Sequence, residues 1–177
     1  VKSVDTEKLR EKIGFVHQKA VLFKGTVRDN MKWGKKDAAD DEIIAALKAA
    51  QIYDVIEEKG GLDFEIEQNG SNLSGGQKQR LSVARAIVRQ PEILILDDSS
   101  SALDYATEAR LRDEIYNLSY NPTVFIVSQR ASSVLSADRI LVLDDGECVG
   151  LGTHNELLES CEVYREIYTS QFGKEAI

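Results

Sequence analysis

With 177 residues, of which 42% are apolar and 29% charged, the chain has the size and composition of one ordinary soluble globular domain. Its net charge of −8 argues against a nucleic-acid-binding face, which needs a surplus of basic residues. The sequence has no apolar run of membrane-spanning length, and its charged start does not resemble a signal peptide. Its two cysteines, Cys148 and Cys161, are too few for a disulfide framework. We expect them to be reduced, in a cytosolic compartment.

The first part of the chain predicts one strand followed by short helices. Ile13 to Val16 is a short apolar strand, and Gln18 lies just past its end. Thr26 to Lys32 is predicted as a short helix. From Asp41 onward apolar residues recur at helical spacing, and a second short helical pattern ends at Gly60.

A polar loop with two adjacent glycines precedes the next helix. Ser74 is a good N-cap residue, because its hydroxyl can accept a hydrogen bond from the free backbone N–H groups of the first turn. Gly75 and Gly76 have no side chains, so a ligand can come close to the backbone at these positions. Exposed N–H groups at the positive end of a helix dipole favour an anion. The same residues also fit an ordinary capped helix after a glycine turn, so both interpretations stay open at this point.

In the second part of the chain, apolar strands alternate with helical patterns. The segment 92–96 is predicted to be a strand buried on both faces, as in a parallel sheet with helices on either side. Further strands are predicted at 123–127 and in a hairpin formed by 140–143 and 147–150. Further helices are predicted at about 105–118, 131–136 and 155–171. This alternation predicts an α/β fold with a mainly parallel sheet.

Two adjacent carboxylates, Asp97 and Asp98, follow the strand 92–96. The ends of strands are where α/β sheets place ligands. Adjacent residues on a strand point to opposite sides, so the two carboxylates are expected to have different roles. Without a ligand, the pair would only cap the turn that follows.

The order of these motifs resembles the later part of the nucleotide-binding domain of ABC (ATP-binding cassette) ATPases over nearly the whole chain. In that family's terms Gln18 is the Q-loop glutamine, Leu73 to Gln77 is the signature, Asp97 is the Walker B aspartate and Ser101 to Asp104 is the D-loop. The segment 21–30 after Gln18 and the ending from Gly152 resemble the exporter type. Glu67 to Gly70 departs from the usual exporter loop that contacts the transmembrane domains in that family.

The resemblance implies a P-loop NTPase-type fold, a set of sites and the cofactors ATP and Mg²⁺. The fold would be an incomplete parallel sheet flanked by helices plus a helical signature subdomain at about 33–90, with 13–18 and 91–177 forming a partial catalytic core. The implied catalytic residues are Gln18, Asp98 and Gln129. The implied metal ligands are Asp97 and Gln18. The implied nucleotide-binding residues are Ser74, Gly75, Gly76, Gln77 and Asp104.

Three departures from the family pattern limit what the resemblance implies. No G-x-x-x-x-G-K-[ST] phosphate loop occurs in the sequence, so the chain resembles a C-terminal fragment without Walker A and is expected to bind ATP poorly and hydrolyse it negligibly. Asp98 replaces the usual catalytic glutamate and is one methylene shorter. Gln129 replaces the usual histidine and cannot carry a proton or a positive charge.

The missing Walker A strand also affects the expected sheet. In the family it lies between the strands at 123–127 and 140–143, and its loss would expose two strand edges. We therefore expect a partial sheet that closes the gap, or one that pairs or swaps with a second copy.

An intact signature beside altered catalytic positions resembles the degenerate subunit of a heterodimeric multidrug or lipid exporter. The implied partners are transmembrane domains and a second nucleotide-binding domain, at the cytoplasmic face of the membrane, and the signature would complete the partner's ATP site. One alternative is a DNA-repair or chromosome-maintenance ATPase, but the interval before the signature has two short helical patterns and no sustained heptads. Another is a non-catalytic interaction fragment, which micromolar ATP binding by the isolated chain would contradict.

Overall fold

The computed structural model describes residues 5–173, and these residues form α-helices around short sheets. The helices are α1 (Thr6–Glu11), α2 (Val27–Lys32), α3 (Asp40–Ala49), α4 (Tyr53–Glu58), α5 (Gly75–Ile87), α6 (Tyr105–Tyr116), α7 (His154–Ser160) and α8 (Glu162–Phe172). The strands are β1 (Ile13–Val16), β2 (Gly25–Thr26), β3 (Glu65–Ile66), β4 (Ile93–Asp97), β5 (Thr123–Val127), β6 (Ile140–Asp144) and β7 (Glu147–Gly152). Short 3₁₀ turns lie at Gly61–Asp63, Gln68–Gly70 and Ala131–Ser133.

The main sheet is parallel and has three strands in the order β1-β4-β5. Its register places Phe15 beside Ile95 and Ile95 beside Phe125 in one row across the sheet. The strand order brings the ends of β1, β4 and β5 to one edge, which is where Gln18 and the two aspartates lie. The predicted α/β class, a parallel sheet with flanking helices, is confirmed.

The two faces of this sheet differ in burial. Val16, Leu94 and Leu96 point to a buried face that belongs to the same core as Leu81 and Val83 of α5. On the opposite face Phe125 is 55% exposed, and Phe15 and Val127 are also exposed. The prediction that β4 is buried on both faces is therefore wrong, because Ile93 and Ile95, which alternate with Leu94 and Leu96, are only partly buried.

The chain divides into two compact units, one ending at Val127 and one beginning at Ser128. In the second unit β6 and β7 form the predicted antiparallel hairpin, which packs with α7 and α8. Its small core is formed by residues from both helices and the hairpin, namely Ile140, Val142, Leu157, Cys161 and Tyr164. Leu141, Leu143 and Leu151 lie on the exposed face of the hairpin.

The expectation that the partial sheet closes its gap is wrong for the described residues. Strand β5 has a neighbour, β4, on one side only, and β6 pairs with β7 in a separate two-stranded sheet. One edge of β5 therefore keeps its backbone groups available for pairing with another strand. Pairing or swapping with a second copy stays a prediction.

Two local predictions also differ from the structure. The helix predicted at 155–171 is broken at Cys161, whose backbone is extended at φ −119° and ψ 108°. This break lets the buried Cys161 side chain approach β7, where its Sγ would lie 2.9 Å from a Cβ added at Gly150. Strands β2 and β3 form an antiparallel pair that was not predicted, since each has only two residues.

Candidate functional site

Helix α5 begins at Gly75 with Ser74 as its N-cap, as the sequence predicts. The Ser74 hydroxyl accepts a hydrogen bond from the backbone N–H of Gln77 at 3.3 Å, and the Gln77 side-chain oxygen accepts from the backbone N–H of Ser74 at 2.9 Å. This reciprocal pair is a capping box, which fixes the first turn of the helix. The Gln77 side chain therefore has a structural role in the described geometry, while the N–H groups of Gly75 and Gly76 have no acceptor within the helix.

The two glycines bring the start of α5 against the loop before α6. A Cβ added at Gly76 would lie 3.1 Å from the carbonyl oxygen of Ala102 and 3.2 Å from Leu103. A Cβ at Gly75 would meet only the Ala102 methyl group, at 3.7 Å. Gly76 therefore allows the start of α5 to pack closely on the loop before α6, whereas Gly75 is less crowded.

Gln18 and Asp98 are in direct contact. The Gln18 amide donates from Nε2 to Oδ2 of Asp98 at 3.0 Å. Asp98 has a left-handed backbone, with φ of 43°, and its own N–H donates to the carbonyl of Val127 at 2.9 Å. This turn ends β4 at Asp97 and directs the Asp98 carboxylate toward the loop that follows β1.

The residues at the end of β4 suit a Mg²⁺ ion held together with phosphate groups. With Nε2 of Gln18 donating to Asp98, its Oε1 atom is the one suited to bind a metal, and Asp97 supplies a carboxylate at the adjacent strand end. Among the described residues no group of three or more His, Cys, Asp or Glu side chains forms a metal cage. Mg²⁺ commonly binds through one or two protein oxygens, with phosphates and water completing its shell. The donor set therefore fits Mg²⁺.

Asp104 caps helix α6. Its carboxylate accepts a hydrogen bond from the backbone N–H of Thr107 at 2.9 Å. That hydrogen bond is the main reason why the pKa of Asp104 lies below its usual value. The geometry thus gives Asp104 a structural role at the start of α6.

Gln129 lies in the second unit, directly after Ser128. Its side chain is exposed, and its backbone carbonyl accepts a hydrogen bond from the side chain of Gln171 at 2.8 Å. Gln171 also accepts from the backbone N–H of Ala131 at 2.9 Å, so α8 fixes the backbone on both sides of Arg130.

Gln79 is a residue that the sequence analysis missed. It is only 3% exposed, and its amide donates from Nε2 to the backbone carbonyl of His17 at 3.0 Å. The contact joins α5 to the segment that carries Gln18. The signal that could have identified Gln79 is a polar residue close to Leu81 and Val83, on the buried part of α5.

A second feature of the first unit is a pair of exposed aromatic rings after Gln18. The ring centroids of Phe23 and Trp33 are 4.8 Å apart. Both side chains are exposed, and Trp33 is 70% exposed. The guanidinium group of Arg85 lies 5.6 Å from the Phe23 ring and donates to the carbonyl of Val21 at 2.8 Å. Buried Asn30 exchanges two hydrogen bonds with the backbone of Phe23, at 2.9 and 2.8 Å. The backbone that carries Phe23 is therefore held in place, although both rings are exposed to solvent.

A shallow cavity of about 130 Å³ borders Trp33 and is lined by α5 and the start of β1. Within the described part of the chain, two buried polar atoms that belong to its lining residues have no hydrogen-bond partner, namely Oγ of Ser82 and Nη1 of Arg85. Burial lowers the pKa of Arg85 from its usual value. Both atoms are themselves buried from solvent, although their residues line the cavity.

None of the helices in the described residues has the length and apolar character needed to cross a membrane.

Comparisons with known proteins show similarity to one family. The model of the family described as "ABC transporter" matches residues 1–101. An uncharacterized ABC transporter ATP-binding protein of Bacillus subtilis, YfiB, is 48% identical over 99% of this chain and 30% of its own length. A putative multidrug export ATP-binding/permease protein of Staphylococcus aureus is 41% identical over 97% of this chain and 30% of its own length.

Among solved structures, a bacterial Atm1-family ABC exporter with ATP bound matches with a TM-score of 0.92 and 36% sequence identity. The match covers 97% of this chain and 30% of the exporter chain. The chain thus spans about 30% of the length of these relatives.

Proposed function

The chain belongs to the ABC transporter family, and from this membership we propose that it forms part of an ATP-binding subunit of an exporter. In this proposal the complete transporter uses ATP hydrolysis to drive transport, and the chain supplies the Q-loop, the signature, the Walker B strand and the D-loop. The observation that carries the proposal is the hydrogen bond between Gln18 and Asp98 beside Asp97, which places three oxygen-bearing side chains at one sheet edge.

In this proposal Asp97 and Oε1 of Gln18 hold Mg²⁺, which neutralises phosphate charge when it is bound. Asp98 orients the water that attacks the terminal phosphate, and Gln129 offers a neutral hydrogen bond in place of a cationic one. The shorter Asp98 side chain and the uncharged Gln129 both weaken hydrolysis. Asp104 would reach the nucleotide interface only indirectly, through the D-loop that it helps to fix.

The proposed subunit is incomplete within these 177 residues. The sequence contains no phosphate loop, and the sheet has an uncovered face with the exposed rings of Phe15 and Phe125. We infer that residues outside this sequence supply the phosphate loop and cover this face. By itself the chain is therefore expected to bind ATP weakly and to hydrolyse it negligibly. In the complete domain we assign about 33–90 to a helical subdomain, with 13–18 and 91–177 belonging to the catalytic core.

The signature would serve a second nucleotide-binding domain. Ser74 and Gly75 are exposed at the start of α5, and the N–H groups of its first turn suit a phosphate from another subunit. The catalytic positions of the chain itself carry the weaker residues Asp98 and Gln129. This asymmetry supports a heterodimer in which Ser74, Gly75, Gly76 and Gln77 complete the ATP site of the partner.

Transmembrane domains would contact the surface formed by Phe23 and Trp33. Large exposed aromatic side chains that lie together are typical of protein–protein interfaces, and here the backbone that carries Phe23 is fixed by Asn30. This contact with transmembrane domains would hold the subunit at the cytoplasmic face of the membrane.

The test of the proposal is ATP hydrolysis by the full-length transporter with its partner subunit. Replacing Ser74 with Ala should lower activity strongly, because it disturbs the partner's competent site. Replacing Asp98 with Asn should have a smaller effect, because that site is already slow. Equal losses from both substitutions would contradict the division of roles.

A further inference from the structure

We propose that Gln79 is a positioning residue that links the signature helix to the metal ligand Gln18. The proposal rests on the function proposed above and concerns the same site. It starts from one contact, in which buried Gln79 donates to the backbone carbonyl of His17, although 62 residues separate the two in sequence.

The His17 carbonyl needs this donor because strand β1 has already ended. The ladder between β1 and β4 includes Val16 as its last pair, opposite Leu96. His17 lies beyond this last pair, and among the described residues β1 has no strand neighbour other than β4, so the His17 carbonyl accepts its hydrogen bond from Gln79 and not from a ladder partner. This hydrogen bond orients the peptide plane that joins His17 to Gln18.

The orientation of that peptide plane sets the direction of the Gln18 side chain. Gln18 reaches Asp98 with a 3.0 Å hydrogen bond, which turns Oε1 to the side on which a metal can bind. A hydrogen bond at each end of this segment, one from Gln79 and one to Asp98, holds the Q-loop start between α5 and β4. Loss of either bond frees the Gln18 side chain to rotate.

The other end of the link is the signature itself. Gln79 lies one helical turn after Gly76, which packs directly against the carbonyl of Ala102. Binding of the partner's phosphate would displace the start of α5. Because a single rigid helical turn separates Gly76 from Gln79, this displacement acts on His17. Gln79 thus couples the phosphate site on the partner to the metal site of this chain.

The test measures metal binding by electron paramagnetic resonance, with Mn²⁺ in place of Mg²⁺ and with ATP present, in the full-length transporter. Replacing Asp97 with Ala identifies which class of Mn²⁺ sites belongs to this chain. At those sites Gln79→Met should weaken Mn²⁺ binding about fivefold to tenfold, as expected for one lost buried hydrogen bond. Ile87→Val is the matched control, since Ile87 is similarly buried in α5 and belongs to the apolar core, and it should change affinity less than about twofold.

A double substitution separates positioning from general destabilisation. If Gln79 acts through Gln18, then Gln79→Met combined with Gln18→Ala should bind Mn²⁺ no more weakly than Gln18→Ala alone. Additive losses, or wild-type affinity in Gln79→Met, would overturn the inference. If Gln79→Met does not fold, Gln79→Asn decides, since its amide is too short to reach His17 and should give the same loss. Absence of ATP-dependent Mn²⁺ binding in the wild-type protein would instead overturn the proposed function, and this inference with it.

Discussion

The side-chain amide of Gln18 contacts the carboxylate of Asp98 across 80 positions of sequence, with 3.0 Å between Nε2 and Oδ2. The contact joins the Q-loop to the carboxylate that the family resemblance assigns to the attacking water. Because the amide holds the Asp98 carboxylate in a fixed direction, the length of the side chain decides whether the carboxylate reaches the attacking water.

We predict that Asp98→Glu raises ATP hydrolysis at the site of this chain. The added methylene extends the carboxylate, and correcting a misplacement of about 1 Å is worth up to roughly a hundredfold in rate. Because Gln129 is unchanged, the expected gain is smaller, about tenfold. The measurement is the steady-state hydrolysis rate of the full-length transporter with the partner's site disabled. Asp98→Asn is the control and should lower the rate, and an unchanged rate in Asp98→Glu would contradict the length argument.

We predict opposite effects of alanine at the two signature glycines on the stability of the folded chain. Gly76→Ala places a Cβ 3.1 Å from the carbonyl oxygen of Ala102 and should lower the free energy of unfolding by about 1–2 kcal/mol. Gly75→Ala meets only a methyl group at 3.7 Å and should leave stability equal or slightly higher, since alanine favours the helix. Urea denaturation of both variants checks this order. If Gly75→Ala proves the less stable of the two, the described packing on the D-loop is incorrect.

Gly34 gives the strongest packing prediction. A Cβ at this position would lie 2.1 Å from the backbone oxygen of Arg85 and 2.9 Å from Val88, so the chain must move away from α5. We expect Gly34→Ala to lower the free energy of unfolding by about 3 kcal/mol. Thermal and urea unfolding measure the loss, with Gly75→Ala as the matched exchange at an uncrowded position. If Gly34→Ala lowers the free energy of unfolding by less than Gly76→Ala does, this prediction is wrong.

Trp33→Ala is predicted to affect assembly and leave folding unchanged. The side chain is 70% exposed, so its loss removes little buried area from this chain. If the surface of Phe23 and Trp33 meets transmembrane domains, the variant should reduce ATP-driven transport in the full-length protein while the melting temperature stays constant. Tyr116→Ala, at an exposed aromatic residue on α6, is the control and should leave transport intact. Normal transport by Trp33→Ala would exclude this docking surface.

Stability should fall at acidic pH because several carboxylates cap helices. Hydrogen bonds from backbone N–H groups hold the pKa values of Asp29, Asp104 and Glu156 below their usual values. The pKa of Glu42 is also lowered, mainly by a hydrogen bond from Lys35 and next by one from the backbone N–H of Ala39. A carboxyl group with a lower pKa in the folded state stabilises the fold above its unfolded pKa of 3.8 for Asp or 4.5 for Glu, and this contribution is lost as the pH falls through the folded value.

Urea unfolding at pH values from 7 down to 3 measures this decline. Asp104→Asn retains a capping oxygen that does not titrate, so it should show a smaller decline than the wild type. An equal decline in both proteins would mean that the Asp104 carboxylate does not contribute to the acid sensitivity.

Much of the fold could be predicted from local sequence patterns. The apolar runs of β1, β4 and β5, the capped start of α5 and the hairpin of β6 and β7 each have a signal within a few neighbouring residues. The break at Cys161 has no such signal, because the capping box at Thr153 and the helical spacing that follows both favour one continuous helix. Tertiary packing of the Cys161 side chain against Gly150 decides the conformation there.

The sequence suggests the members of the candidate site and gives no sign of their contacts. Each motif residue is identified by its own neighbours in sequence, but the hydrogen bond of Gln18 to Asp98 joins residues from separate strands. The bond of Gln79 to His17 likewise depends on how α5 crosses the end of β1. Asp104 shows the reverse case, since the resemblance implies nucleotide binding for it, whereas an aspartate directly before a helical pattern is itself a local signal for the N-cap role that the structure shows.

The parallel pairing of β1 with β4 has a consequence for the order in which the chain folds during translation. Ile13 pairs with Ile93, so β1 must wait for about 80 further residues before its sheet neighbour leaves the ribosome. Helices α2 to α4 lie within this interval and contain the local contacts that form first. The nascent chain is thus expected to carry a helical segment before β1 pairs with β4, and the sheet edge that brings Gln18 to Asp98 is completed only after β4 has been synthesised.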